Sequence, residues 1–225
     1  MHDTGQLILD LPHREALGRE DFLVSQSNAA AVAAIDSWPD WPHSGLVLVG
    51  PPASGKSHLV EVWRHRSGAI RLAGQGIGGD PDRLIGGAGA VAIEDCGAGL
   101  DETALFHLIN AADRAGLDLL ITADRPPAGW RLSLPDLVSR IGRYPVVELA
   151  APDDMLLQAV LAKLFADRQI LVDASVLRYI AVRIERSFKA ARDSVAALDR
   201  AAIAGKRPVT RRLAGQVLAQ ARDDA

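Results

Sequence analysis

Apolar residues along the chain follow two periods, and the change comes near residue 151. Before it, short apolar runs at 46–49, 69–72, 91–93 and 117–121 have strand length, and 146–149 makes a fifth. Helical patterns lie between several of them. One covers 56–65; another covers 101–115, where Leu105, Leu108, Ile109 and Ala112 return at helical spacing. An Ala-rich helical stretch precedes the first strand, starts at Ser27-Asn28 and stops at the Trp38-Pro39 and Trp41-Pro42 turns. Strands alternating with helices predict an α/β fold whose parallel, five-stranded sheet is covered on both faces. Beyond Pro152 strand signals vanish. Segments 153–167, 173–184, 188–204 and 210–221 carry helical spacing and start at or beside Asp, Ser or Thr caps. The pattern therefore divides the chain into an extended tail at 1–15, an α/β domain at 16–151 and a small all-helical domain at 152–225. The glycine-rich 74–79 and Gly86-Gly87 read as loops.

The junction of the first strand and its helix holds Gly50-Pro51-Pro52-Ala53-Ser54-Gly55-Lys56-Ser57, followed by His58. Glycines there let backbone amides crowd around phosphate oxygens, and the helix start lends its positive end. Lys56 is placed to reach terminal phosphates and Ser57 to ligand Mg2+, so the loop predicts a bound nucleotide. An acidic strand end should accompany it. The run 91–93 passes directly into Glu94-Asp95, with Glu94 the candidate metal-site carboxylate and Asp95 the candidate for polarising water. The strand at 117–121 leads into Thr122-Ala123-Asp124, which offers polar groups near a terminal phosphate; read alone, it is a strand entering a proline turn.

Composition narrows the setting. The 225 residues carry a formal net charge of −3, which gives no global drive towards nucleic acid, so a DNA contact would be weak, local or indirect. Lys206, Arg207, Arg211 and Arg212 form a small basic cluster that reads as a solvated helix-terminal patch. The lone Cys96 excludes an internal disulfide and cysteine-cluster metal sites. Only 4% of residues are aromatic, so the core must rest on Ala, Leu, Val and Ile. No leader pattern or membrane-length apolar run is present, which leads to the expectation of a cytoplasmic protein.

The order and spacing of the phosphate loop, Ile93-Glu94-Asp95, 106–110 (FHLIN), 122–127 (TADRPP) and 137–141 (LVSRI), with the helical segments after them, resemble the DnaA-type AAA+ family over residues 22 to about 205. Two features look like one branch of it, the Hda regulators that inactivate DnaA. Gln6, Leu7, Leu9 and Leu11 are similar to the short motif that docks on the DNA-polymerase sliding clamp, a polar group at the rim and three apolar side chains for the pocket. The alternative for that segment is an ordinary edge strand. Second, the chain ends after the helical domain, where an initiator would continue into a DNA-binding domain.

The resemblance implies a nucleotide-bound regulator, with ADP or ATP resident, that stimulates ATP hydrolysis by DnaA in trans while loaded on the clamp. It places Arg140 at the arginine-finger position, with Arg143 as a rival, and Leu23, Val24 and Asn28 in the linker that holds adenine and ribose; those three could equally be core. A homodimer is left open. The resemblance also aligns Lys189 with the family's lid arginine, which loses the bidentate fork; Arg192, three residues further and on a similar helical face, is placed to compensate. Asp136 stands where the family carries a second interface arginine, and Glu94 where Asp is usual. These departures point away from self-hydrolysis; a self-sufficient ATPase and an initiator fragment are the competing readings.

Overall fold

The computed structural model describes residues 22–97 and 99–223, so the Gln6–Leu11 segment lies outside the described residues. Helix α1 (Ala29–Asp36) leads into β1 (Gly45–Val49), α2 (Lys56–Ser67), β2 (Ala69–Ala73), α3 (Pro81–Ile85), β3 (Ala90–Cys96), α4 (Glu102–Ala115), β4 (Asp118–Ala123), α5 (Pro135–Ile141) and β5 (Val146–Glu148). Four helices follow: α6 (Asp154–Asp167), α7 (Ala174–Ala181), α8 (Phe188–Gly205) and α9 (Arg211–Asp223). The five strands form one sheet in the order β2-β3-β4-β1-β5, and every neighbouring pair is parallel.

Alternation along each strand sends side chains to opposite faces, and both are buried. Val47, Val49, Val91, Ile93, Leu119 and Ile121 share one core with Leu105, Leu108 and Ile109 of α4 and Leu137 and Ile141 of α5. Leu46, Leu48, Ala90, Ala92 and Leu120 share the other with α1 and α2. Three of the four tryptophans belong to this second core. Trp63 is fully buried, stacked on Trp41 at 5.2 Å between ring centroids and met edge-on by Trp38. Truncating such a buried Trp costs about 3–5 kcal/mol, so the proline turns after α1 hold this end of the domain through packing.

The helical domain has its own core, built on Leu157, Leu161, Phe165, Val176, Ile180, Ala191, Val195, Leu198 and Leu213. Its helices begin where side chains satisfy free amides: Asp153 accepts from Leu156 N at 2.7 Å, Asp173 from Ser175 N at 2.7 Å and Ser187 from Ala190 N at 3.1 Å.

Some local readings are corrected. Asn28 precedes α1 without capping it through its side chain; its amide accepts from Ser25 N and donates to Leu23 O, both at 2.8 Å, and so folds the incoming linker on itself. Helices α3 and α5 escape the periodicity analysis because they have only 5 and 7 residues. Both carry Pro in the first turn, where its missing N–H costs nothing. The basic cluster is partly engaged within the chain: Arg211 lies over the Tyr179 ring at 5.1 Å, and Arg207 donates to Gln216 at 3.4 Å. Among the described residues no helix is long and apolar enough to cross a membrane.

Candidate nucleotide site

The chain reverses its direction of winding beside β1: α2 carries it to the far edge of the sheet, and β4 later returns to pair with β1. Carboxyl ends of strands at such a switch point form the usual ligand crevice. Here those ends are Val49 entering the phosphate loop, Glu94 and Asp95 on β3, and Thr122 to Asp124 leaving β4.

Two glycines allow the loop its shape. A Cβ at Gly50 would stand 2.3 Å from Leu149 O and 2.9 Å from Ser54 Oγ. Gly55 has φ 104°, outside the range favoured by L side chains, and directly precedes α2. Lys56 is almost fully buried and donates to Gly50 O at 2.6 Å, Pro51 O at 2.9 Å and Asp124 Oδ1 at 2.8 Å. Asp124, more than half exposed, thus gives the lysine an anionic partner. The buried Ser54 Oγ has no hydrogen-bond partner, which fits a loop shaped to meet further acceptors.

A cavity of about 310 Å³ opens over this loop, lined by Pro52, Ala53, Gly55, Lys56, Ser57, His58, Asp95 and Asp124, with Phe188 and Arg192 from the helical domain. Phe188 N donates to Ala53 O at 3.2 Å, so the start of α8 is fastened to the loop. Phe188 and Arg192, four residues apart, share the face turned to the cavity. Lys189 is turned away and pairs with Asp193 at 2.6 Å, on the exposed side. The lid cation at the cavity is therefore Arg192, and Lys189 is not brought to it.

Glu94 is 3% exposed; its Oε2 accepts from Ser57 Oγ at 2.6 Å, and its Oε1 is paired with Arg71 of β2. The parallel register of β3 and β4 shifts between Ile93 and Cys96, and Asp95 in that shift adopts φ 56°. The irregularity turns the Asp95 side chain out to the cavity while its N–H donates to the buried Thr122 Oγ1 at 3.2 Å. Thr122 thereby acts on the shape of β3, and it is not among the lining residues.

Among the described residues no cluster of three or more His, Cys, Asp or Glu could hold a metal ion by itself. Magnesium in phosphate sites takes one or two protein oxygens and completes its shell with phosphate and water, and the hard-oxygen pair Ser57 and Glu94 fits that demand. The ion would there neutralise phosphate charge.

The linker lies against the same helix. Phe22 meets the His58 ring edge-on at 4.9 Å, and Ser27 O accepts from Ala150 N at 3.2 Å. Leu23 and Asn28 bond to each other, as above; neither they nor the exposed Val24 line the cavity.

Arg140 occupies a different place. It pairs with Asp113 at 2.6 Å and lies 5.5 Å over the Phe106 ring. Together with Arg143, Tyr144, His43, Ser44 and Leu117 it lines a second cavity, of about 290 Å³. Ser44, Leu117 and Tyr144 immediately precede or nearly precede β1, β4 and β5, so this cavity lies at the amino ends of the strands. Burial raises the Tyr144 pKa, the Asp113 charge adds to it, and the two arginines oppose it, so its hydroxyl remains a donor there at neutral pH. Glu102 fixes the approach to α5 by accepting from Ser133 N and Leu134 N, and these bonds lower its pKa.

No known family model matches the sequence. Domain III of the Thermotoga maritima replication initiation protein DnaA is similar in structure, with a TM-score of 0.76 and 17% identity over 93% of this chain and 98% of that domain. The Thermotoga maritima RuvB Holliday junction branch migration motor gives 0.70 and 16% over 89% of this chain and 70% of the motor. AMPPCP-bound DnaA from Aquifex aeolicus gives 0.66 and 14%, over 80% of this chain and 64% of the initiator. At such identities the likeness is one of architecture: this chain has the AAA+ fold, a phosphate-loop α/β core followed by a helical lid.

Proposed function

We propose that this chain binds an adenine nucleotide, ADP in its working state, and regulates the initiation of bacterial DNA replication by promoting ATP hydrolysis on a DnaA-type partner. Gly50 to His58 hold the phosphates, with Lys56 exchanging Asp124 for phosphate oxygens. Ser57 and Glu94 serve Mg2+, Arg192 closes the site from the lid, and Leu23, Val24 and Asn28 shape the linker beside the adenine and ribose. Docking on the sliding clamp falls to Gln6, Leu7, Leu9 and Leu11. DnaA-type proteins and the clamp are the partners; DNA is met through them.

The observation that carries this reading is the position of Arg140. Its cavity lies at the amino ends of the strands, while Lys56 follows the carboxyl end of β1. A five-residue strand separates these ends by about 16 Å. A guanidinium there cannot reach the chain's own terminal phosphate, but it can enter a neighbour's, where it would stabilise charge on the transferring phosphoryl group. Asp113 holds it oriented until a partner arrives. Arg143, lining the same cavity, is the alternative finger.

A self-sufficient ATPase is the second reading, favoured by Asp95, whose exposed carboxylate lines the nucleotide cavity. Single-turnover assays of the isolated chain separate the two. The regulator binds fluorescent ADP, loses it in Lys56→Ala, and hydrolyses ATP negligibly. Arg140→Ala keeps ADP and clamp binding and loses stimulation of DnaA's ATPase on clamp-loaded DNA. Normal stimulation by Arg140→Ala and by Arg143→Ala alike would sink the trans-finger claim. Clamp affinity unchanged in Leu7→Ala with Leu9→Ala would remove the docking claim.

A further inference from the structure

We infer that Arg71 is the resident cation of the Glu94 site, competing with magnesium for that carboxylate, so that nucleotide binds here nearly as well without the metal as with it. The inference rests on the nucleotide-binding reading above and deepens it.

Arg71 is the polar residue of an otherwise apolar edge strand, β2. It pairs in register with Ala92, two positions before Glu94 and on the same face of the sheet, so its side chain runs along β3 towards the strand's carboxyl end. There its Nε meets Glu94 Oε1, while Ser57 Oγ holds Oε2 at 2.6 Å. Of a carboxylate that is only 4% exposed, Oε2 thus accepts from a neutral hydroxyl, while Oε1 faces a full positive charge without an aligned hydrogen bond.

A buried carboxylate without a countercharge is strongly disfavoured, and in a phosphate-loop site that countercharge is ordinarily sought from the metal. Arg71 supplies it from within the chain. Magnesium seated at Glu94 would bring two positive charges beside the Arg71 guanidinium, so the two cations repel across that carboxylate and each weakens the other's hold. Arg71 is able to leave, because its own side chain is 53% exposed. Whatever Mg2+ gains from Glu94 is then offset by the loss of the Arg71 pair. Two cations that oppose each other at one group weaken each other by linkage, and removing one uncovers the dependence on the other.

The test is a titration of a fluorescent ADP analogue into the full chain, once with EDTA and once with saturating Mg2+, for the wild type, Arg71→Ala and Arg71→Gln. Gln keeps a donor for Glu94 and guards against a variant that fails to fold. Wild-type Kd is expected to change by no more than about twofold between the two conditions, whereas both variants should bind about tenfold tighter with Mg2+ than with EDTA, the scale of one partly solvated ion pair. A wild-type protein with a tenfold magnesium dependence of its own, or variants whose ratio equals the wild-type ratio, would overturn the role of Arg71 and leave nucleotide binding standing. A wild type that binds no ADP in either condition would overturn both.

Discussion

Replacing Gly55 by Ala perturbs two features of the site at once, and their contributions can be separated. The residue has φ 104° and ψ 8°, a conformation further from the L-residue minimum than the left-handed helix itself. Placing a Cβ there costs about 1–2 kcal/mol in backbone strain. The same Cβ would lie 2.8 Å from Phe188 Cε2 and 3.3 Å from Cδ2. Phe188 cannot retreat freely, because its own N–H is fastened to Ala53 O; overpacking of this kind adds about 1–3 kcal/mol. The expected loss is about 3 kcal/mol, which for a chain of this length lowers Tm by roughly 6–12 °C. The control is Phe188→Ala, alone and in combination. Removing the ring relieves the collision and leaves the backbone strain, so the double mutant should recover about 1–2 kcal/mol relative to the sum of the single changes. Thermal and urea unfolding read both quantities. A Gly55→Ala protein that melts with the wild type would refute the loop conformation. A strictly additive cycle would refute the contact between lid and loop.

Two further outcomes follow from the titratable groups. Asp153 caps α6 and also bonds to Ser25 and Ser27 of the linker; the Leu156 N–H is the larger cause and the serines the smaller of a pKa lowered from 3.8. A lowered carboxyl pKa contributes stability above the ordinary value and loses it as pH falls through the lowered one. Asp153→Ala should therefore cost about 1 kcal/mol at neutral pH and flatten the stability profile below about pH 4, read by urea midpoints across pH. Cys96 is buried, and desolvation, with the Asp95 charge adding to it, pushes its thiol from 9.0 up to about 12. The native thiol should stay unlabelled by a disulfide reagent at pH 8. Because the unfolded thiol ionises first, stability should be full below about pH 9 and decline towards pH 12. Cys96→Ala should remove that part of the alkaline slope.

The architecture was legible because it rests on period. Runs such as 46–49 and 119–121 are apolar throughout, which a strand buried on both faces requires, and the helices between them repeat at helical spacing. What escaped were elements shorter than the period can register, α3 and α5, although Pro81 and Pro135 mark their starts. The site divides in the same way. The phosphate loop, Ser57 and Glu94 follow from local spacing and local chemistry, and the folded chain brings Asp124 to Lys56 and Ser57 to Glu94. Arg71 was passed over because its partner is on another strand, 23 positions later in the numbering of Arg71 and Glu94. An arginine inside an apolar strand was the available signal, since it must find an anion or reach solvent. Thr122 misled in another way: its hydroxyl serves the Asp95 amide and does not line the cavity.

The exchange of Lys189 for Arg192 bears most on how the nucleotide would act. The family resemblance places Lys189 at the lid position, but one helical step turns a side chain by about 100°, and Lys189 is spent on Asp193. Arg192 lies a full turn beyond Phe188 and therefore on the face that Phe188 fastens to the loop. The cavity is thus enclosed by two helix starts, α2 from the sheet domain and α8 from the lid, each with its positive end towards the loop, and by one strong cation from each body, Lys56 and Arg192. A phosphate group placed there would meet positive charge from both sides. Arg140 lies at the other end of the strands, paired with Asp113 in the second cavity and remote from both of these cations.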